Sequence, residues 1–147
     1  MKKFTTYITE LFDKPLKWNE FNTAGKQRKA EFRIGDIGYI ITVQPWEDKD
    51  GKTLWVEFSI GDKGGVQKSN QSSKFKITGT GNAGQIIATV IDYVKHIMKK
   101  EKPTKLAFTA SEPSRKKLYK AISLRFKKIG LVKHITQDNN AFILGVK

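Results

Sequence analysis

The 147-residue chain contains no cysteine, which excludes disulfides, redox thiol chemistry and thiolate metal sites. Its histidines are His96 and His134 alone, and 14 acidic residues stand against 28 basic ones. Such a composition speaks against a structural zinc site or a histidine-based catalytic triad, and no bound metal is expected. Long hydrophobic runs are missing as well: the longest is far too short to cross a bilayer. Two lysines open the sequence MKKFTTYITELF, but the uninterrupted apolar stretch of a signal peptide does not follow. The expectation is a soluble, cytoplasmic protein without a membrane partner. The length fits one domain over 1–147, with 1–28 forming an N-terminal helix and loop packed on it.

What the chain has in excess is positive charge, a net +14. Between Asp92 and Lys133 lie 13 basic and 3 acidic residues, so most of the net charge falls in that segment. Its basic residues include Lys95, Lys99, Lys100, Lys102, Arg115, Lys116, Lys117, Lys120, Lys127 and Lys128. A field of this sign attracts polyanions: nucleic acid, a phosphorylated cofactor or an acidic protein. A lysine-rich solvated surface without a partner explains the same composition.

Hydrophobic periodicity divides the chain. Phe4, Tyr7, Ile8, Leu11 and Phe12 have the spacing of a short amphipathic helix ending before Pro15. Residues 15–28 read as an ordered loop anchored by Trp18 and Phe21. AEFRI, YIITV and TLWVEFSI read as strands, separated by GDIG and by a turn at Asp50-Gly51. A Gly/Ser-rich loop over 61–73 precedes a fourth strand, KFKIT. Ala83, Ile86, Ile87, Val90, Ile91, Val94, Ile97 and Met98 then recur every three to four residues, predicting a helix that stops before Pro103. KLAFTA is a short strand. Ser111 reads as the cap of a helix with Pro113 in its first turn, the apolar stripe Leu118, Ile122, Phe126 and Ile129, and Gly130 at its end. LVKHIT and AFILGVK close the chain around the turn 137–140. The order is α-β-β-β-β-α-β-α-β-β. It predicts an α+β fold, a mixed but mostly antiparallel sheet with helices on both faces, and KFKIT parallel to KLAFTA across a right-handed crossover.

Between KFKIT and the long helix lies TGTGNAG. A helix N-terminus exposes free N–H groups and a positive dipole end. Thr78, Gly79, Thr80, Gly81, Asn82, Ala83 and Gly84 would let a pyrophosphate approach that backbone, and Thr78 and Thr80 add hydroxyl donors. No Lys-Ser/Thr pair follows the glycines, so this is not a P-loop, and the spacing is not that of a dinucleotide fingerprint. By itself the stretch reads equally as a tight strand-to-helix turn.

In this context the sequence resembles the GNAT (GCN5-related N-acetyltransferase) superfamily, which carries a Q/R-x-x-G-x-G/A loop between its fourth strand and main helix. Thr78 stands at the Gln/Arg place, Gly81 at the first Gly and Ala83 at the Gly/Ala place, with Ile86 and Ile87 where the family has leucines. Leu118-Tyr119 and Gly130-Leu131 resemble later family pairs, over a stretch of roughly 29–147. SEPSRKKLY also resembles small GNAT-like proteins of bacteriophages, which would place the protein in the host cytoplasm. The chain departs from the family at Thr78, at Glu112 and Arg115, and in joining its first two strands by the four residues 35–38 where the family has two helices. The resemblance implies acetyl-CoA or a related acyl-CoA as cofactor, its pyrophosphate on the N–H groups of 79–84 and its pantetheine arm between KFKIT and KLAFTA. Tyr119 falls at the family's acid position, and Glu57 is the candidate base. The alternative is a catalytically silent GNAT-like protein whose basic face binds nucleic acid or an acidic protein. A virion or assembly component would use Trp18, Trp46 and Trp55 as interface anchors.

Overall fold

The computed structural model describes residues 14–21, 23, 25–60, 83–110 and 113–147. The expected N-terminal helix, the strand KFKIT, most of the 78–84 loop and the Ser111 cap lie outside them. Among the described residues seven strands form one sheet: β1 (Asn19–Phe21), β2 (Arg28–Ile34), β3 (Ile37–Asp48), β4 (Gly51–Ile60), β5 (Lys105–Thr109), β6 (Val132–Asp138) and β7 (Ala141–Val146). The helices α1 (Ala83–Glu101) and α2 (Pro113–Lys128) follow β4 and β5. The strand order is β1-β2-β3-β4-β5-β7-β6, antiparallel throughout except for β4 with β5.

The local chemistry explains the hairpins. Gly35 at φ 60 supplies the positive dihedral of the tight turn between Ile34 and its partner Ile37. Gly51 at φ 121 closes the β3–β4 hairpin opposite Asp48, and a Cβ there would meet the Thr104 side chain at 2.6 Å. Alternation then sorts the side chains. Ala30, Phe32, Tyr39, Ile41, Val43, Leu54, Val56, Phe58, Leu106, Phe108, Phe142 and Leu144 are buried on one face. Their cluster is completed by Ile86, Val90, Val94 and Ile97 of α1 and by Leu118, Tyr119, Ile122 and Phe126 of α2.

Both described helices share one face of the sheet; whether a helix also covers the other face, as expected, turns on residues outside the described ones. The opposite face carries the exposed Trp46 and Trp55. Helix α2 ends in a Schellman motif: Leu131 N–H donates to the Phe126 carbonyl and Gly130 N–H, at φ 83, to that of Lys127. The apolar stripe stops at Phe126, since Ile129 lies past the helix and is 41% exposed.

Two expectations are corrected. KLAFTA was expected beside KFKIT, but β5 is hydrogen-bonded to β4 on one edge and to β7 on the other. The parallel partner is TLWVEFSI. The segment 15–28, expected as a loop, contains β1, held by contacts remote in sequence. Trp18 Nε1–H donates to Asp92 at 2.8 Å, with its ring centroid 4.8 Å from that of Tyr93. Glu20 accepts from Arg28 at 2.8 and 2.9 Å and from the Tyr93 hydroxyl at 2.8 Å. Trp18 thus turns inward instead of serving as a surface anchor.

Burial raises the pKa of Glu20, but the hydrogen bonds from Arg28 and Tyr93 outweigh it and hold the carboxyl below its ordinary 4.5. With the folded pKa below the unfolded one, this contribution is present above pH 4.5 and is lost as pH falls through the folded value. Glu20→Gln should be less stable than the wild type near neutrality. Urea unfolding should show that deficit narrowing between about pH 6 and about pH 3. A deficit independent of pH would contradict this role.

Candidate functional site

The parallel ladder takes in four of the five residues of β5, and β4 runs on past its end. Strands β4 and β5 pair from Thr53/Lys105 to Val56/Phe108, one residue before β5 ends. Strand β4 continues to Ile60, while β5 goes on with β7 to Thr109/Ala141. Beyond the ladder, Phe58 N–H donates to the Tyr119 hydroxyl at 2.9 Å. A side chain from α2 thus stands where a ladder carbonyl would otherwise be.

Tyr119 is fully buried, and its ring centroid lies 5.2 Å from that of Phe108. Burial pushes its pKa up to about 12; the Phe58 N–H and Arg115 pull against this, and the Glu57 carboxylate adds to it. Glu57 and Arg115 are therefore electrostatic neighbours of the hydroxyl. Both line a cleft of about 450 Å³ with Gln27, Thr42, Gln44, Trp55, Thr109 and Asn140. Glu57 projects from the face opposite the helices, the facing that alternation within TLWVEFSI requires. The two candidate catalytic residues thus approach the same gap, Tyr119 from the helix side and Glu57 from the open side.

The ends of α1 are placed by an ion pair. Glu101, its last residue, contacts Lys52 at the start of β4 at 2.7 Å. Its 19 residues run back about 28 Å, comparable to the length of β4. The N-terminus of α1 therefore lies toward the end of β4 where the gap opens. Arg115, in the first turn of α2, lines the cleft itself. Of the expected phosphate loop, Ala83 and Gly84 form the start of α1, while Thr78, Gly79, Thr80, Gly81 and Asn82 lie outside the described residues.

The basic residues form separate groups. Lys117, Lys120, Lys127 and Lys128 are exposed along the outer side of α2, with the 53% exposed Leu124 among them. Lys116, expected on that face, is half-buried, and Arg115 belongs to the cleft. Lys95, Lys99 and Lys102 instead rim a second cleft at the far end of α1, and Lys100 is exposed beside them. Sequence reasoning missed Trp55, Gln27, Gln44 and Asn140 as cleft residues. The alternation of TLWVEFSI signalled only Trp55, by placing it beside Glu57.

Among the described residues no cluster of histidine and carboxylate side chains could hold a metal ion, and no helix is long and apolar enough to cross a membrane. No family model matches the sequence, and no curated protein matches it either.

Tyr119→Phe removes the acceptor of a buried N–H and should cost about 1–3 kcal/mol. Because the folded pKa is raised above the ordinary 10, the neutral hydroxyl's contribution is full below pH 10 and is lost as pH rises toward 12. Denaturant unfolding should therefore show the gap between wild type and Tyr119→Phe closing over that range.

Proposed function

We propose that this protein is a GNAT-like N-acyltransferase acting from acetyl-CoA or a related acyl-CoA. The observation that carries the reading is the parting of β4 from β5 after Val56/Phe108, with Tyr119 and Glu57 reaching the gap from opposite sides. The order from β4 onward supports it: a long helix, a strand parallel to β4, a second helix and two closing strands. The pantetheine arm belongs between β4 and β5, and the 79–84 backbone remains the proposed pyrophosphate contact.

Bound acyl-CoA supplies an activated thioester with a thiolate leaving group. The protein's own residues then divide the proton work. Glu57, exposed on the cleft wall, would accept the proton of an ammonium in the cleft. With a lone pair engaged by Phe58 N–H, the Tyr119 hydroxyl keeps its own proton for a developing anion. A phenol near 12 is a weaker acid than a thiol of about 8.5, so full proton transfer would run uphill. Tyr119 thus serves best by hydrogen-bonding the leaving sulfur. Acetyl-CoA should raise the melting midpoint and release free thiol with a suitable amine. Glu57→Gln should lower kcat by about 10²–10⁴-fold with little change in KM. Gly81→Val should remove binding without unfolding the protein. Absence of both acetyl-CoA stabilisation and thiol release across a broad amine panel would overturn the reading.

The exposed lysines of α2 favour a second reading, a basic face for nucleic acid or an acidic protein. Nucleic acid held there would be bound with little sequence preference and a steep salt dependence. Changing Lys117, Lys120 and Lys127 together to Gln should reduce the log–log salt slope on duplex DNA by about 0.9 for each phosphate no longer neutralised. The melting temperature should hardly change, since exposed lysines add little stability. Failure to bind duplex or single strands at low salt would reject nucleic acid, leaving an acidic protein for this face.

A further inference from the structure

A second cleft, of about 420 Å³, lies where the C-termini of α1 and α2 meet the end of β7. Its floor is apolar. Met98, Leu131 and Val146 pack against the core but remain half-buried, and Pro103 completes the wall. Its rim carries the exposed Lys95, Lys99, Lys102 and Lys147. Among the described residues none of these lysines is within ion-pair distance of a carboxylate; Glu101 beside them is already paired with Lys52 at 2.7 Å. The helix dipole accounts for a lysine in the last turn of α1. It does not account for Lys95, more than a turn further in, or for the apolar floor between the lysines.

We infer that this cleft binds an amphiphilic anion, with the apolar body on Met98, Leu131 and Val146 and the acidic head group among Lys95, Lys99 and Lys102. The volume is in the range of small-molecule sites, and apolar lining with a few convergent polar groups is their usual make-up. Nucleic acid would use the lysines through its phosphates but leave the apolar floor unmatched. The inference is independent of acyl transfer, because the cleft lies at the opposite end of α1 from the β4–β5 gap.

The test uses decyl phosphate below its micelle concentration, inorganic phosphate, decanol, and vesicles of anionic phospholipid. Calorimetry should show decyl phosphate binding at least tenfold tighter than inorganic phosphate or decanol. Methyl NMR signals of Met98, Leu131 and Val146 should shift on binding. The double variant Lys95→Gln/Lys99→Gln changes only exposed side chains and should melt like the wild type, yet bind decyl phosphate at least tenfold more weakly. Equal affinity for inorganic and decyl phosphate, unchanged affinity in the double variant, or binding to vesicles but not to the monomeric amphiphile would overturn the inference.

Discussion

The parallel pairing of β4 with β5 is the contact on which the rest of the structure depends. Every other neighbouring pair in the sheet is antiparallel and, apart from β5 with β7, joins strands consecutive along the chain. A parallel pair needs a long crossover, because the chain must return to the starting end of the sheet. Helix α1 makes that return, and the Lys52–Glu101 ion pair and the Thr104 N–H bond to the Lys52 carbonyl secure its far end. The antiparallel meander β1–β4 and the unit β5–α2–β6–β7 are one sheet because of this pair.

The pairing's early end has a chemical consequence. A strand edge that leaves its neighbour exposes backbone donors and acceptors that must find partners. Tyr119 supplies one such partner from the helix layer, joining the core of α2 to the edge of β4. Its hydroxyl, neutral near pH 7 in any tyrosine, is held neutral to still higher pH by burial. Glu57, on the open face, is exposed on the wall of the cleft. One structural accommodation thus brings a buried phenol and an exposed carboxylate to opposite sides of the same strand end.

The N-terminal segment shows how remote contacts override local preference. Nothing in WNEF marks a strand, yet Glu20 accepts from Arg28 on β2 and Tyr93 on α1, and Trp18 reaches Asp92 on the same helix. Leu16 N–H donates to the Thr89 hydroxyl nearby. These contacts order an edge strand whose own residues bury little. The basic residues show the same limit. Sequence periodicity separated Lys117, Lys120 and Lys127 from the apolar stripe of α2, but whether Lys95, Lys99 and Lys102 joined them depended on how the helices packed.

By itself the sequence determined the hairpin positions of β2–β4 and β6–β7, the two described helices and the buried side of β2 and β4, because turn dihedrals and side-chain period are local properties. Gly35, Gly51 and Gly130 marked their turns, the stripe Ile86, Val90, Val94 and Ile97 marked α1, and Leu54, Val56 and Phe58 marked the inward side of β4 opposite Glu57. It also brought Glu57 and Tyr119 forward as a pair, through resemblance. Only the tertiary structure decided that TLWVEFSI, not KFKIT, lies beside KLAFTA, that the described helices share one face, and that the pair parts at Val56/Phe108. Those outcomes depend on which edges are free once all strands compete for partners, a global condition that no local pattern encodes.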